Sequence, residues 1–417
     1  MLVTTILNSI EKRKGFVYGK ARMGLDSEGN KRIEIPIIPR RNSKASCSNC
    51  GLACRSYDRL PERCFEYVPL WGIAVVLVYA MRRVMCPECG VKVERVPWAS
   101  GKSPITSSLA IFLADWAKVL SWQEVARRFG VNWRQVFESV RHVVTYGLSH
   151  RDLSGVTAIG VDEIQCGHGH RYLTVVYQLC GGTRRLLYVG KDREAVSLSA
   201  FFDEMGAPWC AGVRHACSDM WKAYLKVIRE RLPNAVHILD RFHIVKLLNE
   251  AVDKVRREEA CALRKKGLDL LKGLKYVFLK RPENLTPGQQ EALMGIMGQR
   301  WLRSVRAYLW KEKFQLFWEY TSPFWAQRYL RRWCKGAMRS RLAPIKKFVK
   351  TIRSHEDLIM NWFKAKKLYS SGAVEGMNRK INLVTRKAYG YKSHEVLKIA
   401  LFHTLGHLPE PEMTHRF

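Results

Sequence analysis

The sequence predicts a multidomain α+β protein, on three observations. Its 417 residues, 47% of them hydrophobic, suffice for two or three cores of roughly 150 residues each. Six of its twelve cysteines fall in the first 100 residues, among short strand-like runs and turn-rich stretches. From Thr157 onward strand and helix patterns alternate, and after Asp240 helical periodicity runs almost unbroken to about His407.

Residues 1–100 read as a β-rich region, with strand-like runs at Arg32–Ile38 and Ile73–Tyr79. Helical periodicity takes over from Pro104 to about Leu148, broken at Lys118–Ser121 and at Gly130, which fits three short helices in a segment 101–150. Residues 151–417 form the remaining domain. In it TAIGVDEI, RYLTVVYQL, RRLLYVG, a helix from Arg193 to Met205, a strand ending at Ser218, a further helix and AVHIL make a mixed α/β sheet. A helical insertion follows over about 245–368, punctuated by RPENLTPG and by Ser322-Pro323.

The formal charge of +34, from 71 Lys and Arg against 37 Asp and Glu, exceeds what solubility needs and attracts polyanions, nucleic acid first among them. The most apolar run, Val68–Met81, is too short for the roughly 20 residues of a membrane span, and Met1–Gly15 has no apolar signal core. A cytoplasmic, nucleoid-associated protein with reduced thiols and no membrane partner is therefore expected.

Cys47-Ser-Asn-Cys50 and Cys86-Pro-Glu-Cys89 each place two thiolates on a tight turn, and two such pairs assemble a tetrahedral Zn²⁺ site, a zinc ribbon at about 40–100. The 35 residues between the pairs exceed the common spacing, so Cys54 or Cys64 could replace one ligand. Cys166-Gly-His168-Gly-His170 has zinc-like residue types, but its glycines between two strands indicate a hairpin turn. In SWQEVARRFGVNWRQVFESVRHVV one helix stops at Gly130 and the next starts behind Asn132, an N-cap, which is helix-turn-helix spacing. Val125, Ala126, Phe129, Val136 and Val140 would form the shared core, leaving Asn132, Arg134, Gln135 and Arg141 toward DNA.

The candidate chemistry rests on acids. Gly160-Val161-Asp162-Glu163 follows a strand start, and alternation puts Asp162 and Glu163 on opposite faces, so that only one can point into a given site. Asp219 ends His215-Ala-Cys-Ser-Asp, where a strand gives way to a helix. Glu375 begins a helix on which Asn378, Asn382 and Arg386 share its face, a stripe suited to metal ions and phosphates together, with Arg379 beside it. Three carboxylates from two strand ends and a helix suit two Mg²⁺ ions, with Mn²⁺ as a substitute, for phosphodiester displacement. Asp240 would cap the helix FHIVKLLNEAV, with His243 in its first turn. The basic stretch Arg328–Arg353 carries ten Lys or Arg and no acid; its neighbouring aromatics, at helical spacing, read mostly as core.

In this order, the zinc ribbon, the helix-turn-helix, GVDE, Ser218-Asp219, Asp240-Arg-Phe-His243 and SGAVEGMNRKINLVTRKAYGY resemble the ISL-three group of bacterial insertion-sequence transposases, over nearly the whole chain. The resemblance implies a ribonuclease H-like catalytic domain, a DDE triad carried onto Asp162, Asp219 and Glu375, an insertion before the glutamate, and an active-site-adjacent role for Asp240 and His243. It further implies binding of double-stranded DNA at terminal inverted repeats and target, metal-dependent cleavage and strand transfer, and a homo-oligomer, at least a dimer on DNA. A non-catalytic DNA-binding regulator and a ribonuclease H-like nuclease or resolvase without strand transfer are the alternatives.

Overall fold

The computed structural model describes residues 3–165, 172–182, 184–367, 371–388, 390–391 and 393–412. The Cys166-His168-His170 segment lies outside the described residues. The protein is α+β, with two mixed sheets, and divides into two compact units: Met1–Asp152 with Leu383–Phe417, and Leu153–Asn382.

The first unit begins with α1 (Val3–Ile10), followed by β1 (Phe16–Tyr18), β2 (Arg22–Leu25), β3 (Lys31–Pro39), β4 (Ala45–Ser46), β5 (Ala53–Leu70), β6 (Ile73–Cys86) and β7 (Gly90–Val93). The sheet order is β1-β3-β6-β5-β4, with β2 on β3 and β7 on β6; β3 and β6 are parallel. The two long strands β5 and β6 join through Trp71 and Gly72, both at positive φ (52° and 78°), the backbone that a two-residue hairpin requires. Trp98, fully buried, forms the centre of the core, with the rings of Phe16, Tyr79 and Phe65 edge-on at 4.9, 5.3 and 6.0 Å.

Next come α2 (Ser107–Val119), α3 (Trp122–Phe129) and α4 (Trp133–His150), and, from the C-terminal segment, α16 (His394–Leu405). Ser121 and Glu124 close a capping box on α3, Gly130 ends that helix at φ 65°, and Asn132 and Gln135 close a second box on α4. Val125, Ala126, Val136 and Val140 are buried, while Phe129 is half-buried against Phe112 and Trp116.

In the second unit, β8 (Ala158–Gln165), β9 (Tyr172–Gln178) and β10 (Leu186–Lys191) form an antiparallel meander. After α5 (Ala195–Met205) and α6 (Ala207–Gly212), β11 (His215–Ser218) returns parallel to β8; α7 (Lys222–Arg231) leads to β12 (Val236–Leu239), parallel to β11. The sheet order is thus β10-β9-β8-β11-β12. Leu198, Phe201, Phe202, Tyr224 and Ile228 of the helices pack with Ile159, Val161 and Ala216, while Cys217, Ile238 and Leu239 join a separate helical core.

That helical core is built by α8 (Arg241–Arg264), α9 (Lys275–Leu279), α10 (Pro287–Met297), α11 (Arg303–Gln315), α12 (Pro323–Met338), α13 (Ala343–Ser354) and α14 (Glu356–Lys364), after which comes α15 (Ser371–Lys387). Phe314, Phe317, Trp318 and Trp333 are buried in the helical core, whereas Phe324 and Trp325 are exposed. Buried Glu259 of α8 caps α11 from outside, accepting hydrogen bonds from Arg303 N and Ser304 N (both 2.7 Å) and from Ser304 Oγ (2.6 Å). Glu259→Ala is expected to lower stability by about 3 kcal/mol, because three buried donors lose their acceptor; a urea midpoint unchanged from wild type would contradict this.

Candidate active site

Asp162 lies on the central strand β8, between β9 and β11, and is only 4% exposed. Gly160, two residues earlier on the same face, makes room for α15: a Cβ there would come within 2.9 Å of a Val374 methyl. Val374, Met377 and Ile381 are buried positions of α15, among its described side chains, and their packing brings Asn378 to Asp162. Asn378 Oδ1 accepts from the buried Tyr177 hydroxyl at 2.8 Å, which turns its amide NH₂ to donate to Asp162 Oδ2. The other oxygen, Asp162 Oδ1, accepts from Glu163 N at 2.8 Å. Burial raises the Asp162 pKa above the ordinary carboxylate range, offset in part by His243 and by these hydrogen bonds. Gly160→Ala is expected to cut turnover about tenfold or more while leaving the fold intact, since α15 must move away; equal turnover in a DNA-cleavage assay would count against this placement of α15.

The parallel strands β8, β11 and β12 run in one direction, and the segments that leave β11 and β12 carry the next two acids. Asp219 follows β11 directly and accepts from Trp221 N at 3.0 Å. Burial raises its pKa, as does the Asp162 charge, while the Trp221 N–H, His243 and Arg193 oppose the shift. Asp240 caps α8 by accepting from Phe242 N at 2.7 Å. One turn on, His243 Nε2 stands 3.7 Å from Asp162 Oδ1 and 3.8 Å from Asp240 Oδ2. Asp240 therefore combines a capping role with a place beside the acidic cluster.

Alternation along β8 gives its two neighbouring acids separate partners, Asn378 of α15 for Asp162 and Arg193 for Glu163. Burial and the Asp219 charge raise the Glu163 pKa, and Arg193, at 3.5 Å, and His243 oppose this. Glu163, Arg193 and Tyr177 are members of the site neighbourhood that residue spacing did not single out, with the adjacent acid in GVDE as the available signal for Glu163; Asn378 lies on the Glu375 stripe that spacing indicates, and its hydrogen bond to Asp162 is what the structure adds.

Glu375 lies one turn before Asn378 on α15, half-buried, and pairs at 2.5 Å with Arg379. Asn382 and Arg386 are exposed. The only Cys, His, Asp or Glu set of three or more whose donor atoms all lie within 4.8 Å of one another, among the described residues, is a cysteine set. Asp162 and Asp219 nonetheless fit a hard divalent cation: both are oxygen donors whose charged forms are disfavoured by burial, which a bound cation would offset.

In the first unit, the sulfurs of Cys47, Cys50, Cys86 and Cys89 lie within 4.8 Å of one another, a donor set suited to a thiophilic tetrahedral ion and compatible with a zinc ribbon. Asn49 Nδ2 donates to Cys89 Sγ at 3.3 Å. Cys54 is buried nearby but donates to Leu52 O, and Cys64 is exposed on β5. On α4, Arg134 is exposed and Arg141 pairs with Glu138, while the side chains of Asn132 and Gln135 are engaged in the capping box.

A transposase family, the ISL-three group of DDE enzymes, matches residues 159–401, more than half of the chain. The chain is similar to the transposase for insertion sequence element IS1001 of Bordetella parapertussis, 26% identical over 399 residues that cover 95% of this chain and 96% of that protein. It is also similar to the transposase for insertion sequence element IS1557 of Mycobacterium tuberculosis, 29% identical over 410 residues that cover 92% and 91% of the two chains. No helix among the described residues is long and apolar enough to cross a membrane. The matched segment contains the sheet and the helices that carry Asp162, Asp219, Asp240 and Glu375, and this chain belongs to the ISL-three group of insertion-sequence transposases.

Proposed function

We propose that this transposase binds the terminal inverted repeats of an insertion sequence and catalyses metal-dependent DNA cleavage and strand transfer, with Asp162, Asp219 and Glu375 as its metal-binding acids. The observation that carries this reading is Asp162: a buried carboxylate on the central strand, bound by an amide of the helix that also carries Glu375. The strand order β10-β9-β8-β11-β12, three antiparallel and two parallel, supports a ribonuclease H-like domain.

Divalent cations, Mg²⁺ or Mn²⁺, supply Lewis acidity and an activated water or 3′-hydroxyl when bound. Asp162 and Asp219 would hold them from the sheet and Glu375 from α15, giving up its Arg379 partner. Asn378 orients Asp162, Tyr177 orients Asn378, and His243 stands between Asp162 and Asp240. Asn382, Arg379 and Arg386 would meet phosphates along α15. On the DNA-reading side, Arg134 and Arg141 would contact DNA from a helix-turn-helix whose recognition helix, α4, is set by Asn132 and Gln135. The four cysteines would hold structural Zn²⁺. Pairing two element ends calls for at least a dimer, acting in the cytoplasm at the nucleoid.

Labelled element ends incubated with Mg²⁺ test the reading. Wild type is expected to cut and join; Asp162→Ala and Glu375→Ala should bind ends within about twofold of wild type yet do neither. Cleavage retained by either variant would overturn the acid assignment, and cutting without joining by wild type would favour the nuclease alternative.

A further inference from the structure

Beside Asp219 the second unit opens a cleft of about 460 Å³, lined by Tyr172, Asp192, Arg193, Glu194 and Trp221. Its walls are built rather than incidental. Buried Thr174 donates to the carbonyl of Asp192 at 2.7 Å, and Asp192 N donates to Tyr172 O at 3.0 Å. This fixes a turn in which Asp192 sits at φ 63° and from which Arg193 projects. The Arg193 guanidinium then lies 4.4 Å from the Tyr172 ring centre and 4.8 Å from that of Trp221. Its ion pair with Glu163 is a single 3.5 Å contact that leaves most of its donors available. Trp221 retains 41% of its surface exposed, and its backbone N–H holds Asp219.

We infer that this cleft receives an unstacked base of the DNA strand next to the reacting phosphate, with Trp221 as its stacking platform. The inference rests on the proposed strand-cleaving function and adds the subsite that fixes the strand. Arg193 lies over one face of the Trp221 ring, and the other face accepts any base, because every base has a π-face. The carboxylates of Asp192 and Glu194 can accept from exocyclic amino groups, and Arg193 can donate to ring nitrogens or carbonyls, so the cleft offers partners for base edges once the base has left the stack. The two-residue separation of Trp221 from Asp219 places that base beside the phosphate held at the acids. A purely structural Trp221 would need neither the open cleft nor the guanidinium with donors to spare.

The test uses the full-length chain and element-end duplexes carrying 5-iododeoxyuridine at single positions around the cut, irradiated without divalent ions so that no strand is cut. The expected result is crosslinking to Trp221 from one or two positions flanking the cut, lost in Trp221→Ala and kept in Trp221→Phe. End binding should stay within about twofold, and cleavage in parallel Mg²⁺ reactions should fall roughly tenfold to a hundredfold in Trp221→Ala. An abasic nucleotide at the crosslinking position should restore most of that loss, since no base then needs to be extruded. Far-ultraviolet circular dichroism checks that the Ala variant is folded; if it is not, the wild-type and Phe crosslinks decide. Crosslinks that avoid Trp221, or reach it equally from every position, overturn the inference. Wild type that crosslinks at Trp221 but never cuts counts instead against the proposed function.

Discussion

Asp162→Asn is expected to abolish cleavage and joining, by about a thousandfold or more, while flattening the pH dependence of the metal-free protein's melting temperature. The two effects share one cause. The carboxylate is 4% exposed and its pKa is raised chiefly by burial, so the unfolded chain ionises it more readily than the folded chain does. For an acid whose native pKa is raised, the native state binds more protons than the unfolded state between the ordinary carboxylate value and the raised one. Stability therefore falls as pH rises through that window and stays reduced above it. Asp219 shifts in the same direction and adds to the slope. The Asn side chain removes the titrating group but offers one acceptor where Asp162 offers two, so thermal melts with chelator between acid and neutral pH should show a shallower decline than wild type without a gain in the melting temperature itself. The variant also loses a charged oxygen donor, and with it catalysis. A site that trades stability for function in this way is common where charge must be held ready for a ligand. A variant whose melting temperature declines with pH as steeply as that of wild type, or that still cuts DNA, would contradict the assignment.

The second large effect is expected from the cysteine cluster. The buried residues around it, Ala45, Cys47, Cys54, Val84 and Cys86, form a very small core, and β4 beside it has only two residues. Such a core does not order four thiols by itself, and structural zinc is worth on the order of 10 kcal/mol in small metal modules. Cys47→Ser together with Cys86→Ser should therefore release one equivalent of zinc, measurable by elemental mass spectrometry. The same change should lower the melting transition of the first unit and weaken end binding at least about tenfold. Cys64→Ser, exposed on β5, should change neither metal content nor melting. Zinc retained by the double variant, or lost in Cys64→Ser, would point to a different ligand set.

Much of the protein's local organisation is legible in its amino-acid sequence. The helix ends at Ser121, Gly130 and Asn132 follow from side chains that bond their own backbone within three or four residues, and the C-x-x-C turns place two sulfurs by chain geometry alone. The ordered set of motifs likewise leads to the transposase family to which the chain belongs. The aromatics of the helical segment illustrate what periodicity does and does not resolve: spacing indicates core for most of them, while the exposure of Phe324 and Trp325 depends on which neighbouring helix covers each face.

The active-site neighbourhood is less legible, for a physical reason. Asp162 and Asn378 are separated by 216 positions, and their hydrogen bond exists because Gly160 lets α15 approach the sheet, while Tyr177 on another strand sets the amide. The ion pair of Glu163 with Arg193 also joins side chains 30 positions apart on different segments. The grouping of Leu383–Phe417 with the first unit and the stacking of Arg193 between Tyr172 and Trp221 are likewise contacts between distant segments. Capping, cysteine spacing and charge were determined by the sequence alone, because each acts within a few residues or over the whole chain at once. Which helix meets Asp162, and which rings border its neighbour, was decided only by the tertiary structure, because those contacts depend on strand order and on the packing that brings distant segments together.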